Sequence, residues 1–290
     1  MRFTKMHGAG NDYVYVDLFD ERVESPEALA VAVSDRHAGI GADGLILLGP
    51  SRVADVRMVM YNADGSRSGM CGNGLRCLAR LARDRGRAKG DTVRVETDAG
   101  VRTVELLAAG GARADMGPPA LDPAKVPVRL KGPRVVDAPV EAAGETLKIT
   151  CLSMGNPHAV VFVDDVARFD VARFGAALER HDLFPERVNA SFVEVVDRGR
   201  VRQRTWERGA GETRACGTGA CAVCVAGVLT GRTDRTITSE LPGGRLELEW
   251  RDSVFLAGET VTVFTGDWGG PGGGRPPSRL GALRRGRHGV

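Results

Sequence analysis

The chain repeats itself. Cys71 lies in Ser68-Gly69-Met70-Cys71-Gly72-Asn73-Gly74-Leu75-Arg76-Cys77, and Cys216, 145 positions later, lies in Thr213-Arg214-Ala215-Cys216-Gly217-Thr218-Gly219-Ala220-Cys221. The same offset links Asn11 to Asn156, and Tyr61-Asn62 to Trp206-Glu207. Tyr13-Val14-Tyr15-Val16-Asp17 and Val160-Val161-Phe162-Val163-Asp164 spell one strand in two ways. Asp35-Arg36-His37 returns as Glu179-Arg180-His181 after 144 positions. A near-constant offset of half the 290-residue length predicts an internal duplication. The predicted fold is α+β. It has two pseudo-symmetric domains, each a mostly antiparallel sheet wrapped around a central helix, with a site in the cleft between them.

Each cysteine precedes Gly-x-Gly and a run that reads as helix. In the first run Leu75, Leu78, Ala79 and Ala82 recur at helical spacing; in the second, 222–229 is almost wholly apolar, as in a buried helix. A cysteine at a helix start faces unpaired N–H groups and the positive end of the dipole. That setting is expected to lower its pKa from about 8.5. Two activated thiols, each beside an anion-binding helix end, are therefore expected. Taken singly, each cysteine would read as a small buried hydrophobe; the paired context argues otherwise.

Around these motifs, strand, turn, strand is read over 3–18, a helix over 25–36 behind Ser25-Pro26, and strands at 45–48 and 56–61. Strands follow at 92–96, 101–107 and 112–116. Gly117-Pro118-Pro119 marks a boundary. The second half carries strands near 126–130 and 147–152, a strand ending at Asp164, a helix at 170–180, and strands at 191–197 and 200–206. Four more lie near 235–239, 245–250, 253–257 and 260–265. The expected domains are 1–117, joined by a returning strand at 260–266, and 118–259. Gly39-Ile40-Gly41-Ala42-Asp43-Gly44 fits G-x-G-x-x-G, but helix precedes it and strand follows, the reverse of a dinucleotide site.

The net charge of +3 is concentrated at one end. Residues 267–290 hold five arginines and one acid with eight glycines and three prolines, leaving the body at −1. No nucleic-acid footprint remains in the body, and a disordered tail is expected over 267–290. No apolar run approaches the roughly 20 residues of a membrane span, and the N-terminal residues lead straight into strand. A cytoplasmic location with reduced cysteines is expected.

Paired thiols at one interface suit proton removal from one face of a carbon and return to the other, one as thiolate and one as thiol. The motifs then resemble the diaminopimelate epimerase family: Met6-His7-Gly8-Ala9-Gly10-Asn11-Asp12, Tyr61-Asn62-Ala63-Asp64-Gly65-Ser66, Met70-Cys71-Gly72-Asn73-Gly74, Gly155-Asn156-Pro157-His158, Val188-Asn189-Ala190-Ser191, and 207–220. The resemblance spans 3 to about 265. It implies interconversion of LL- and meso-2,6-diaminopimelate on the route to lysine and peptidoglycan, with no metal and no pyridoxal phosphate, and it leaves room for a homodimer. It implies Cys71 and Cys216 as the acid/base pair. The backbone at Gly72-Asn73 and Gly217-Thr218 would take the reacting carboxylate and Glu207 its ammonium. Arg208 would grip the distal carboxylate, Asn62, Asn156 and Asn189 the distal end, and Asn11 would line the site. His158, with Glu207, would orient or deprotonate a thiol. Gly44 stands where a glutamine can occur, so it is given no side-chain role. Two alternatives stay open: a related two-cysteine racemase acting on another amino acid, as in proline racemases, or a zinc or redox protein using Cys216, Cys221 and Cys224. Cys77 and Cys151 read as packing.

Overall fold

The computed structural model describes residues 1–108 and 110–270. The first half runs β1 (Arg2–Gly8), β2 (Asn11–Asp17), α1 (Pro26–Ser34), β3 (Gly44–Gly49), β4 (Val56–Asn62), β5 (Arg67–Ser68), α2 (Gly72–Asp84), β6 (Thr92–Thr97), β7 (Gly100–Leu106), β8 (Gly111–Asp115) and β9 (Val135–Ala142). The second runs β10 (Glu145–Ser153), β11 (Pro157–Phe162), α3 (Val171–Glu179), β12 (Asn189–Asp197), β13 (Arg200–Glu207), β14 (Gly211–Thr213), α4 (Gly217–Leu229), β15 (Thr236–Leu241), β16 (Gly244–Trp250), β17 (Val254–Glu259) and β18 (Val261–Asp267). The duplication is visible in every strand and α-helix. Helices α2 and α4 each have 13 residues and start 145 positions apart.

The pairings repeat as well. Strand β2 runs parallel to β3 as β11 does to β12, and β4 parallel to β6 as β13 does to β15. The remaining pairings are antiparallel, so the mostly antiparallel α+β reading holds. The halves exchange their last strands. Strand β9, from the first half, pairs with β10, and β18, from the second, pairs with β1. Strands β8 and β17 pair with each other, with Ala114 opposite Leu256, and join the two sheets. Trp268 N donates to Met1 O (2.7 Å), carrying the β1–β18 ladder one step further. Strand β18 ends at Asp267, the first residue of the expected tail, and 271–290 lie outside the described residues.

Burial explains the two central helices. Leu75, Leu78, Ala79 and Ala82 of α2 are fully buried, as are Ala220 to Ala226 of α4, and both helices enter one apolar cluster. Helices α3 and α1 cover the outer faces, each on its own smaller cluster.

Three local readings differ. No strand forms at 126–130; these residues follow a 3₁₀ turn, Pro123–Lys125, in which Asp122 Oδ1 accepts from Ala124 N (3.0 Å). Pro127 has no N–H for a ladder, which disfavours a strand there. Strand β9 escapes a sequence reading because it contains Pro139, a residue that edge strands tolerate. Helix α1 stops at Ser34, because the Asp35 carboxylate takes the N–H groups of His37 and Ala38 (both 2.7 Å); Ser25 precedes the helix without a side-chain cap.

Gly44 sits where β3 crosses β4. A Cβ there would lie 2.2 Å from Tyr61 O and 3.2 Å from Tyr13 Cε1, so this chain has no room for a side chain at the position. Gly44→Ala is expected to cost about 1–3 kcal/mol through overpacking. Thermal denaturation should show a melting temperature lower by several degrees; an unchanged one would contradict the packing.

Candidate active site

Cys71 is the N-cap of α2 and Cys216 the N-cap of α4, both in extended backbone. Gly74 N points at Cys71 Sγ (3.5 Å). An ideal Cβ on Gly217 would lie 3.7 Å from Asn73 Oδ1 and 3.9 Å from Asn73 N, so the first turns of the two helices meet. Gly219 leaves space for the second thiol, since a Cβ there would stand 3.2 Å from Cys216 Sγ. Both cysteines line one cavity of about 390 Å³, with walls from both halves.

The two thiols have different neighbours. Cys71 Sγ donates to Asn11 Oδ1 (3.3 Å). Asn11 Nδ2 donates to Asp43 Oδ2 (2.7 Å), and Asp43 Oδ1 accepts from Arg36 Nη2 (2.8 Å), which fixes the Asn11 amide. Asn73 Nδ2 donates to the same Asn11 oxygen (3.4 Å), and Arg76 Nη2 donates to Asn73 Oδ1 (3.1 Å) from a fully buried position. Cys216 Sγ lies 3.2 Å from Glu207 Oε2 and 3.6 Å from Thr218 Oγ1. Thr213 Oγ1 donates to the other Glu207 oxygen.

The expectation of lowered thiol pKa values is corrected. Burial pushes Cys71 up; the N–H groups of Gly74 and Asn73 and the side chain of Tyr13 pull it back in part. Burial, then the Glu207 carboxylate, pushes Cys216 well up. Desolvation of the charged form outweighs the helix ends. Burial also raises Glu207.

Asn11, Asn62, Gly72, Asn73, Asn156, Glu207, Arg208, Gly217 and Thr218 line the cavity with the cysteines. Two residues of the expected set do not. Asn189 is buried behind the wall, where Oδ1 accepts from Arg208 N (2.9 Å) and Nδ2 donates to Pro157 O (3.0 Å). His158 is fully buried with Nε2 on Asn156 Oδ1 (3.0 Å), and Nδ1 has no partner among the described residues. Burial lowers its pKa to about 3, so it is neutral and, by these bonds, orients Asn156 rather than acting on a thiol. Arg208 Nη1 donates to Glu186 O (2.8 Å) while its side chain remains on the cavity wall. Tyr13, Met60 and Met154 also line the cavity and were not singled out beforehand. Tyr13 could have been, by the period-two alternation that puts it on the face of Asn11.

Cys221 and Cys224 are fully buried in the core of α4. Among the described residues no group of three or more His, Cys, Asp or Glu is arranged to hold a metal ion.

Two duplicated halves thus place a pair of helix-capping thiols on one shared cavity. A profile described as "Diaminopimelate epimerase" matches residues 3–121 and 150–267, one stretch in each half. A diaminopimelate epimerase of Acetivibrio thermocellus is 50% identical over 274 residues, covering 92% of this chain and 98% of that protein. One of Desulfovibrio desulfuricans is 51% identical over 281 residues, with the same shares. This chain belongs to the diaminopimelate epimerase family. Among solved structures, a probable proline racemase from Agrobacterium radiobacter has a similar fold (TM-score 0.70, 15% identity, 92% of each chain). A PhzF-family phenazine biosynthesis protein of Bacillus anthracis does too (TM-score 0.65, 18% identity, 91% of this chain and 97% of that one).

Glu207 holds Cys216 up through its negative charge, so Glu207→Gln should move the pH midpoint of Cys216 alkylation downward. Labelling with iodoacetamide and peptide mapping reads this; a midpoint that stays put or rises would contradict the pairing.

Proposed function

We infer that this chain is an isomerase that interconverts LL-2,6-diaminopimelate and meso-2,6-diaminopimelate, supplying lysine and peptidoglycan precursors. The observation that carries the mechanism is the placement of two cysteines at the touching starts of two buried helices. In the proposed reaction one thiolate removes the α-proton from one face and the other thiol delivers a proton to the opposite face. The reverse reaction exchanges the roles. The developing negative charge flows into the α-carboxylate, which the N–H groups at Gly72-Asn73 and Gly217-Thr218 are placed to receive.

The remaining roles are assigned by position. Glu207 takes the ammonium of the reacting centre and bears on Cys216. The Arg208 guanidinium takes the distal carboxylate as a fork, with Asn62 and Asn156 at that end. Asn11 faces Cys71. Asn189 acts from behind, holding the Arg208 backbone, and His158 holds Asn156. A proline racemase-like substrate is the second reading, because that fold is shared. It is less favoured, since a substrate with one carboxylate would leave Arg208 without its partner. The proposed domains are 1–117 with 260–266, and 118–259. Among the described residues no helix is long and apolar enough to cross a membrane. The reading includes a cytoplasmic location and leaves room for a homodimer.

Incubation with LL-diaminopimelate in heavy water tests it. Deuterium should enter the α-position with inversion, unaffected by chelator, and Cys71→Ala or Cys216→Ala should each cut the rate by about 10²–10⁴-fold, the usual weight of general acid–base catalysis. Exchange with proline and none with diaminopimelate would replace the substrate. Full activity in either variant would remove that cysteine from the chemistry.

A further inference from the structure

Arg76 is fully buried, and nothing in the proposed reaction uses it. Its guanidinium lies between strands from both halves. A Cβ on Gly8 of β1 would stand 3.2 Å from Arg76 Nη2, and one on Gly258 of β17 only 3.1 Å. These two glycines leave the room that the group fills. A charge in such a place is costly unless it is paired. Among the described residues Arg76 has no carboxylate partner, and its Nε has no partner at all. Two contacts remain. Nη1 donates to Gly72 O (3.3 Å) and Nη2 to Asn73 Oδ1 (3.1 Å), four and three positions back on one face of α2.

The second contact leads to Cys71. Because Arg76 takes the Asn73 oxygen, the Asn73 Nδ2 group points the other way, to Asn11 Oδ1 (3.4 Å). Cys71 Sγ donates to that same oxygen (3.3 Å), and Asn11 Nδ2 donates to Asp43 Oδ2 (2.7 Å). Two amides thus stand head to tail between a buried cation and a carboxylate. The two ends of an amide are alike in shape, so its partners decide which way it faces. Here a reversed Asn73 would aim N–H groups at the guanidinium, and a reversed Asn11 its oxygen at Asp43. The second half has no such chain. At 145 positions further on, Thr218 stands for Asn73 and Cys221 for Arg76, and the Thr218 hydroxyl lies 3.6 Å from Cys216 Sγ.

We propose that Arg76 is a positioning residue for Cys71, holding the Asn73 amide so that its N–H, and not its oxygen, meets Asn11 Oδ1 beside the sulfur. This rests on the reading of Cys71 as one of the two proton carriers.

The effect has a definite sign. Asn11 Oδ1 is an acceptor that suits the S–H form. An N–H on that oxygen offsets part of its negative charge, which eases ionisation of the sulfur next to it. With Arg76 gone, Asn73 is free to turn, the Asn11 oxygen keeps its full charge, and the thiol holds its proton more firmly. Loss of the nearby cation acts in the same direction. The other titratable groups facing Cys71 are Tyr13 and Tyr15 of β2, Cys77 of α2 and Glu207 of β13, with Asp43 behind Asn11. A substitution at Arg76 leaves all of them in place. An arginine that only filled space would act otherwise. A loosened core admits water, burial is what raises both thiols, and both would then ionise more easily.

The test is Arg76→Met in the full chain, which keeps most of the volume without the charge or the donors. The pH dependence of iodoacetamide labelling at Cys71 and Cys216 is read by peptide mapping. The Cys71 midpoint should rise by about one pH unit, which is about tenfold less thiolate below the midpoint. The Cys216 midpoint should move less. kcat/KM for epimerisation should fall about tenfold at low pH and recover as pH rises. Asn73→Ala cuts the chain one link further on and leaves the buried arginine in place. It should raise the Cys71 midpoint too, and Arg76→Met added to it should shift the midpoint by less than half as much as alone. A Cys71 midpoint that stays or falls in Arg76→Met, a rise that Cys216 shares in full, or the full shift on top of Asn73→Ala overturns the proposal. Should Arg76→Met fail to fold, Asn73→Ala decides alone, and an unchanged Cys71 midpoint there overturns it. Full activity in Cys71→Ala would instead overturn the reading beneath it, so the two failures separate.

Discussion

Two helices buried in a protein core must begin somewhere, and the first N–H groups of a helix have no partner within it. The other sides of α2 and α4 face apolar side chains, where an unpaired N–H is costly. Both helices therefore start at the one polar cavity, back to back. This constraint accounts for much of the site. The glycines after each cysteine bring the two starts together, and cysteine ends up at both N-caps.

Duplication supplies two copies of that device, but a proton transfer across a carbon needs two unequal groups at any moment. The structure departs from symmetry at the thiols. Cys71 rests among neutral groups, Asn11 and the N–H of Gly74. Cys216 rests against a carboxylate. Beneath the first helix start lies the buried guanidinium of Arg76, and 145 positions on the matching residue is Cys221. The frame is conserved between the halves while the electrostatics is not. Burial keeps both thiols above their ordinary range, so the ionised form depends on specific donors rather than on the helix dipole alone.

The duplication, the two central helices, the returning last strand and most strands could be read from the chain, because each rests on a local pattern. Apolar spacing marks α2, an apolar run marks α4, and a repeated Asn or Cys marks the offset. What escaped was set by tertiary surroundings. Pro139 hides β9, which is a strand only because β10 offers it an edge. Asn189 and His158 carry site-like motifs, yet the β11–β12 pairing places them opposite each other and behind the wall. The thiol pKa direction was misjudged because desolvation is a property of the folded interior. Tyr13 carries no motif of its own and reads from the chain only as a strand residue.

The exchange of last strands has a consequence for synthesis. Strand β1 is made long before its partner β18, and the Met1–Trp268 contact spans nearly the whole described chain. Until about residue 267 has been made, β1 keeps one unpaired edge with N–H and C=O groups open to any passing strand. The nascent first half is thus a sheet waiting for closure, and the contacts that close it are among the most distant in sequence, which makes them slow to form. Strand β9 is released from such a wait: its partner β10 follows across a tight turn at 143–144 and pairs as soon as it emerges. The two halves, alike in their final fold, mature by different routes, and the one that is translated first is completed last.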